Sequence, residues 1–229
     1  RKLGDYILKN RKGSDAPRGN GKINTERAMI ALSEATGDAR YRDDAVNGMD
    51  LRHWKTPVAG HAYMFMNICL AQLDLYREEP DESLLAQSRK VIDFLTKNDG
   101  LMISGTCSLW ETFHDNQDTR GLLGESCATA YLIRMAHYLM QLEGKSLDGD
   151  IMERAIYNAL FAAQSPDGRM LRYFTCIDGP RAYFDRDTYC CPGNWRRIVA
   201  ELPEMIYYRS ADGGVLVNLY TASSAELPI

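Results

Sequence analysis

Glu125-Ser126-Cys127 and Cys190-Cys191-Pro192-Gly193-Asn194 are the two stretches whose residue types could do chemistry together. Three thiols and one carboxylate make a tetrahedral donor set of the kind that Zn²⁺, a borderline-soft cation, accepts. The spacing follows no zinc-finger pattern. Glu125 and Cys127 are two apart and would diverge on a regular helix, yet at a helix start both can turn toward one ion. Adjacent Cys190 and Cys191 need non-helical backbone to share a metal, and Pro192-Gly193 predicts a rigid bend there rather than a helix or strand. Two other readings stand beside the metal site. One is a set of buried thiols with a glutamate favoured by a helix N-terminus. The other is a redox-active vicinal pair, which the strain of a vicinal disulfide disfavours.

Further candidates are open when taken singly. Glu111 lies in Leu109-Trp110-Glu111-Thr112-Phe113-His114. Desolvation between aromatics would raise its pKa and keep a proton for donation, whereas a solvated loop glutamate would do nothing. His61 follows Pro57-Val58-Ala59-Gly60 and opens a helix, where its imidazole either donates to a ligand hydroxyl or caps the helix. Glu153 and Tyr173 are ambiguous in the same way. His114 and His137 read as ordinary loop and helix residues. Cys69 reads as an inert buried thiol in mid-helix, and Cys107 and Cys176 as packing residues near the site.

The elements that must position these residues are mostly helical. Apolar spacing and stop signals predict helices over about 25–35, 38–47, 62–79, 126–142, 151–163 and 195–208. Asp81 is an N-cap for another, which Asn98-Asp99-Gly100 closes. Asp5 to Lys9 reads as a helix end broken by the polar stretch Lys12 to Gly21. Ser104 to Gly124 is a long loop, the kind that is functional or disordered. Met170 to Ile177 has strand character. Val215 to Thr221 reads as a strand with no earlier partner, the first of a following β domain. Helices in sequential antiparallel pairs suggest an α/α toroid, with a helical bundle as the alternative.

Composition excludes several functions. Of 229 residues, 45% are hydrophobic and 25% charged, and the net charge of -4 offers nothing to nucleic acid or an anionic membrane. No apolar run approaches the roughly 20 residues of a membrane span. Six cysteines in a chain this large and helical need no disulfide framework. Retained thiols favour the cytoplasm, with a periplasmic or secreted setting if a leader precedes this stretch. The opening on Arg1 and the close just after a strand begins suggest a piece of something longer.

Together, Cys190-Cys191-Pro192-Gly193-Asn194, Glu125-Ser126-Cys127, Gly60-His61-Ala62 and Glu153-Arg154-Ala155-Ile156-Tyr157-Asn158 resemble glycoside hydrolase family 127, the β-L-arabinofuranosidase-type enzymes. The similarity runs from about Gly60 to Tyr220. It implies the C-terminal part of an (α/α)6 barrel over residues 1–210 and the start of a β-sandwich over 211–229. It places Glu125, Cys127, Cys190 and Cys191 on zinc ligands, Cys190 on the cysteine nucleophile, and Glu111 on the general acid/base. His61, Glu153 and Tyr173 fall on sugar-contacting positions, and Trp110 or Phe113 could pack on a sugar face. The pair is followed here by Pro192-Gly193, where the family usually has two prolines. The implied chemistry is retaining hydrolysis of a terminal L-arabinofuranoside or related sugar, with a plant-type carbohydrate as partner and a homodimer allowed. The competing class is a non-catalytic helical protein, carbohydrate-binding or otherwise interacting, whose Zn-Cys site only staples helices together.

Overall fold

The computed structural model describes residues 1–11, 25–116, 120–180, 182–185 and 189–227. The predicted polar loop from Lys12 to Gly21 lies outside them. The chain divides into two compact units, Arg1–Phe94 and Leu95–Ile229. Eight α-helices are named among the described residues: α1 Lys2–Arg11, α2 Glu26–Thr36, α3 Ala39–Asp43, α4 Ala62–Glu78, α5 Ala86–Lys97, α6 Ser126–Glu143, α7 Ser146–Ala155 and α8 Cys190–Glu201. No helix among them is long and apolar enough to cross a membrane.

In the first unit, α2, α3 and α4 enclose a core of Met29, Ile30, Tyr41, Leu51, Ile68, Leu75 and Leu84. Apolar spacing on α4 buries Phe65, Met66, Cys69, Leu70 and Leu73, and the helix ends ahead of Pro80, which cannot extend it. Asp81 caps the next turn by accepting from the Ser83 N–H at 2.9 Å. Inside the core, the Gln72 amide donates to the Leu51 and Trp54 carbonyls at 3.0 and 3.1 Å.

The second unit is built around α6, which is buried on nearly every side. A helix apolar all round must be central, and α7 and α8 both pack on it. Ala130, Ile133 and Ala136 of α6 meet Met152 and Ala155 of α7 and Ile198 of α8. Its two buried polar residues beyond the first turn are matched. Arg134 makes a two-pronged pair with Glu201 of α8 at 2.7 Å on each arm. His137 Nδ1 lies 2.7 Å from the Tyr208 hydroxyl. Gly144, at φ +64, ends the helix in the left-handed conformation that glycine adopts freely.

Several expectations are corrected. α8 begins at Cys190 rather than Trp195, so the cysteine pair occupies the first helical turn and not a bend. Proline is tolerated there, because first-turn N–H groups have no intrahelical partner to lose. α7 begins at Ser146, not Ile151. Val215–Val217 has an earlier partner after all, pairing antiparallel with Tyr207–Arg209 (β2 with β1). Residues 170–177 form no regular strand. They make isolated bridges, Leu171 to Gln164 and Phe184, and Phe174 to Glu125.

That bridging segment is what fixes the start of α6. The Ser126 N–H donates to the Tyr173 carbonyl at 2.9 Å and the Ser126 hydroxyl to the Arg172 carbonyl at 2.7 Å. The Thr175 N–H and hydroxyl both donate to the Gly124 carbonyl at 3.1 Å. Gly124 has φ +64, and a Cβ there would lie 2.6 Å from Thr106 and Thr175 side-chain atoms. Gly124→Ala is therefore expected to cost about 2–3 kcal/mol through backbone strain and steric overlap. A denaturant melt within about 0.5 kcal/mol of wild type would contradict this account of the α6 entry.

Candidate functional site

Glu125 is the residue just before α6, with φ −54 and ψ 133, so its side chain leaves the helix end instead of following the helical spiral. Its N–H donates to Ser108 Oγ at 3.2 Å, and its carbonyl accepts from the Thr129 N–H and hydroxyl at 3.0 and 3.1 Å. Thr129 in turn shares a 2.6 Å bond with Thr106. Cys127 stands in the first turn of α6, and Cys190 and Cys191 in the first turn of α8. The divergence expected of residues two apart is thus overcome by the extended backbone at Glu125.

The structure brings all four together. One donor atom from each of Glu125, Cys127, Cys190 and Cys191 falls within 4.8 Å of every other. Cys127 and Cys191 sulfurs are 3.4 Å apart, and Cys191 Sγ is 3.8 Å from Glu125 Oε1. Sulfurs sharing a tetrahedral ion with bonds of about 2.3 Å stand about 3.8 Å apart. Glu125 Oε2 is buried with no hydrogen-bond partner. An orphaned carboxylate oxygen beside three gathered thiols is costly unless a cation meets it, so the residues fit a metal.

Electrostatics point the same way. Burial, ahead of every other cause, pushes the Glu125 carboxyl up to about 8, with the neighbouring charge of Glu111 adding to it. The Cys190 thiol is pulled well down, first by its hydrogen bond with Cys127 and then by that with Cys191. Cys127 is pushed up, first by its hydrogen bonds with Cys190 and Cys191 and then by burial. Cys190 is the half-exposed sulfur, while Cys127 and Cys191 are buried.

Glu111 and Tyr173 join this group. The Tyr173 hydroxyl donates a short hydrogen bond to Glu111 Oε1 and lies 3.8 Å from Cys190 Sγ. Burial first, and then Glu111, raise the phenol so that it stays protonated. Glu111 sits in a hydrogen-bonded turn rather than an open loop: the Trp110 N–H reaches the Leu122 carbonyl at 2.7 Å, and Leu109 bridges Thr112 and Leu123. Ser108 and Trp110 hold φ of +92 and +55, which non-glycine residues rarely adopt. Trp110 is 61% exposed beside Glu111, whereas Phe113 is buried at 9%, which leaves Trp110 as the ring able to meet a ligand.

Glu153 is exposed on α7, outside the contacts that assemble this group. His61 belongs to the first unit, where it precedes α4 without capping it and packs edge-on against Tyr63 at 4.4 Å. Two residues were passed over in the sequence. Asn194 is buried and donates from Nδ2 to Cys127 Sγ at 3.0 Å, while Arg197 donates to its Oδ1 at 2.5 Å. Their signal was helical spacing: Asn194 is one turn beyond Cys190, and Arg197 almost one turn beyond Asn194.

Comparison with known proteins agrees with this geometry. Residues 8–204 match the family model described as beta-L-arabinofuranosidase, GH127 catalytic domain. A non-reducing end beta-L-arabinofuranosidase of Bifidobacterium longum subsp. longum is 27% identical over 140 residues, covering 53% of this chain and 21% of that protein. A solved GH127 beta-arabinofuranosidase superposes with TM-score 0.79 at 25% identity, over 96% of this chain and 38% of that one. A GH127 beta-L-arabinofuranosidase from Geobacillus stearothermophilus T6 gives TM-score 0.67 at 22% identity, over 96% and 43%. This chain thus spans well under half the length of these relatives.

If the four donors hold one cation, its binding must displace protons from thiols and from the raised Glu125 carboxyl. Zinc titrations in buffers of different ionisation enthalpy should show one site that releases protons and weakens as pH falls below about 8. Glu125→Gln should lower zinc affinity by at least about 10-fold. Equal affinity for that variant would remove Glu125 from the ligand set.

Proposed function

The chain belongs to the glycoside hydrolase family 127 catalytic-domain family, and from that premise we propose that it carries the reacting groups of a retaining glycosidase for terminal L-arabinofuranosides or related sugars. The observation that supports this most is one phenolic oxygen, on Tyr173, spanning the gap between the Glu111 carboxylate and the Cys190 sulfur. Retaining glycosidases hold acid/base and nucleophile about 5–5.5 Å apart, a gap that one bridging hydroxyl suits.

Cys190 is the nucleophile. It is the accessible sulfur of the three, and its attack on the anomeric carbon forms a C–S bond as the C–O bond to the leaving group breaks. Glu111 delivers its proton to the departing oxygen. Glu111, now a carboxylate, then takes a proton from water, which attacks the same carbon and releases Cys190. Two inversions give net retention. Glu125, Cys127, Cys190 and Cys191 would hold Zn²⁺, which when bound keeps sulfur ionised as thiolate. Tyr173 orients Glu111 and keeps its own proton, consistent with its raised pKa. Tyr173 also binds a sugar hydroxyl, and Trp110 offers a ring face to the substrate.

On this reading residues 1–210 belong to the C-terminal part of an (α/α)6-barrel domain, and 211–229 open a β-sandwich. A cytoplasmic setting belongs to the same proposal.

In the full-length protein, Cys190→Ala should cut turnover of an arabinofuranosyl disaccharide by about 10³-fold or more while the fold survives. Glu111→Gln should cost about 10²–10⁴-fold. The first sugar released, followed by NMR, should keep its anomeric configuration. Inversion, or an active Cys190→Ala enzyme, would exclude a cysteine nucleophile. A variant that unfolds as it loses metal would favour a stapling role for the cluster.

A further inference from the structure

The three sulfurs of the cluster are chemically alike, yet only one can be a nucleophile, so something must hold the others out of the reaction. Exposure separates Cys190 from the buried pair. Between the buried two, Cys127 has a partner that is itself held in place. Asn194, 3% exposed, presents Nδ2 to Cys127 Sγ at 3.0 Å. The amide could in principle turn over and present its oxygen, which would repel an electron-rich sulfur. Arg197 forbids this. A guanidinium has only donors, so the amide atom it meets at 2.5 Å must be the oxygen. With Oδ1 claimed on one side, the two amide hydrogens have to face Cys127 on the other. Arg197 is steadied by a second bond, from Nε to the Gly193 carbonyl at 3.3 Å.

We propose that Asn194, oriented by Arg197, is a positioning residue that keeps Cys127 as a non-reacting sulfur ligand. The inference rests on the metal reading above and deepens it. An N–H donated to a metal-bound sulfur withdraws charge from it and fixes its lone-pair direction, which makes that sulfur a better permanent ligand and a poorer nucleophile. Cys127 stands in the first turn of α6, Asn194 one turn into α8 and Arg197 three residues beyond it, so the relay runs along α8 to the start of α6. Cys190 and Cys191 make no such bond with Asn194 among the described residues; the contacts of Cys190 are with Cys127, Cys191 and Tyr173.

The test follows release of zinc from the loaded full-length protein to a chromophoric chelator, beside thermal melts of the same samples. Asn194→Ala should release zinc about 10- to 100-fold faster than wild type. Arg197→Met removes the lock at an exposed position with little risk to folding, and should also release faster. Arg197→Lys, another donor-only group, should restore slow release. A merely structural role would lower the melting temperature of Asn194→Ala and leave release rates of all variants equal, which would overturn the relay alone. Wild-type protein that takes up no zinc in the same titration would overturn the metal reading and the relay with it.

Discussion

Two helix N-termini meet at one buried point, and the rest of the second unit is arranged to keep them there. Every donor in the cluster is a potential anion, and each occupies the first turn of α6 or α8 or the residue just before it. The positive end of a helix dipole and its unpaired N–H groups favour such charge, and thiolates in particular form readily at helix starts. With a divalent cation bound, three thiolates and a carboxylate would carry four negative charges against its two, and the remainder would have to be met by the protein. Converging helix starts, and the amide of Asn194, would supply that compensation without a second cation to compete for the sulfurs.

Holding two positive helix ends together costs energy, and the molecule offsets it at a distance from the cluster. Arg134 and Glu201 tie α6 to α8 further along both helices, in a two-pronged geometry that sets their relative rotation. The segment around Tyr173 serves both ends of the site. Its backbone pins Ser126 and Gly124, and its Tyr173 side chain reaches Glu111 and Cys190. Movement of this one segment would disturb Glu125, Glu111 and Cys190 at once. Its ring also joins Phe174, Phe184 and Tyr189, with centroids 4.6 to 5.7 Å from its own, which makes an apolar wall beside the sulfur. Such a wall lowers the local dielectric and strengthens every charge interaction within it.

Helical stretches were legible because their signals are local. The apolar spacing of α4, its end at Pro80, and Gly144 after α6 are all readable within a few residues. The donor set was legible for a different reason: Glu125, Cys127, Cys190 and Cys191 are rare types in rare groupings, so their chemistry narrows the choice. What was misread depended on contacts made elsewhere. Pro192-Gly193 looks like a break, but three residues into a helix neither is one, and only the helix start at Cys190 reveals that. Residues 170–177 have the composition of a strand but no regular strand runs beside them, so they bridge singly to Gln164, Phe184 and Glu125. Asn194 and Arg197 carry no chemical signature of their own, and their role exists only because Cys127, some 67 positions earlier, arrives opposite them.

The turn carrying Glu111 completes the arrangement. Ser108 and Trp110 both hold positive φ without being glycine, a cost of about 1–3 kcal/mol each that survives only if the surroundings enforce it. They do: the Gly124 N–H donates to the Ser108 carbonyl, and the Ser108 hydroxyl accepts from the Glu125 N–H. The residue that leads into the turn is therefore bonded to the residue that begins the cluster. Strain in the Glu111 turn and the placement of Glu125 are two sides of one hydrogen-bonded junction. A relaxed turn would let Trp110 fold inward and release Ser108, and the carboxylate of Glu125 would lose the anchor that turns it away from its helix. The Glu111 turn and the Glu125 end of the cluster are thus mechanically coupled through Ser108.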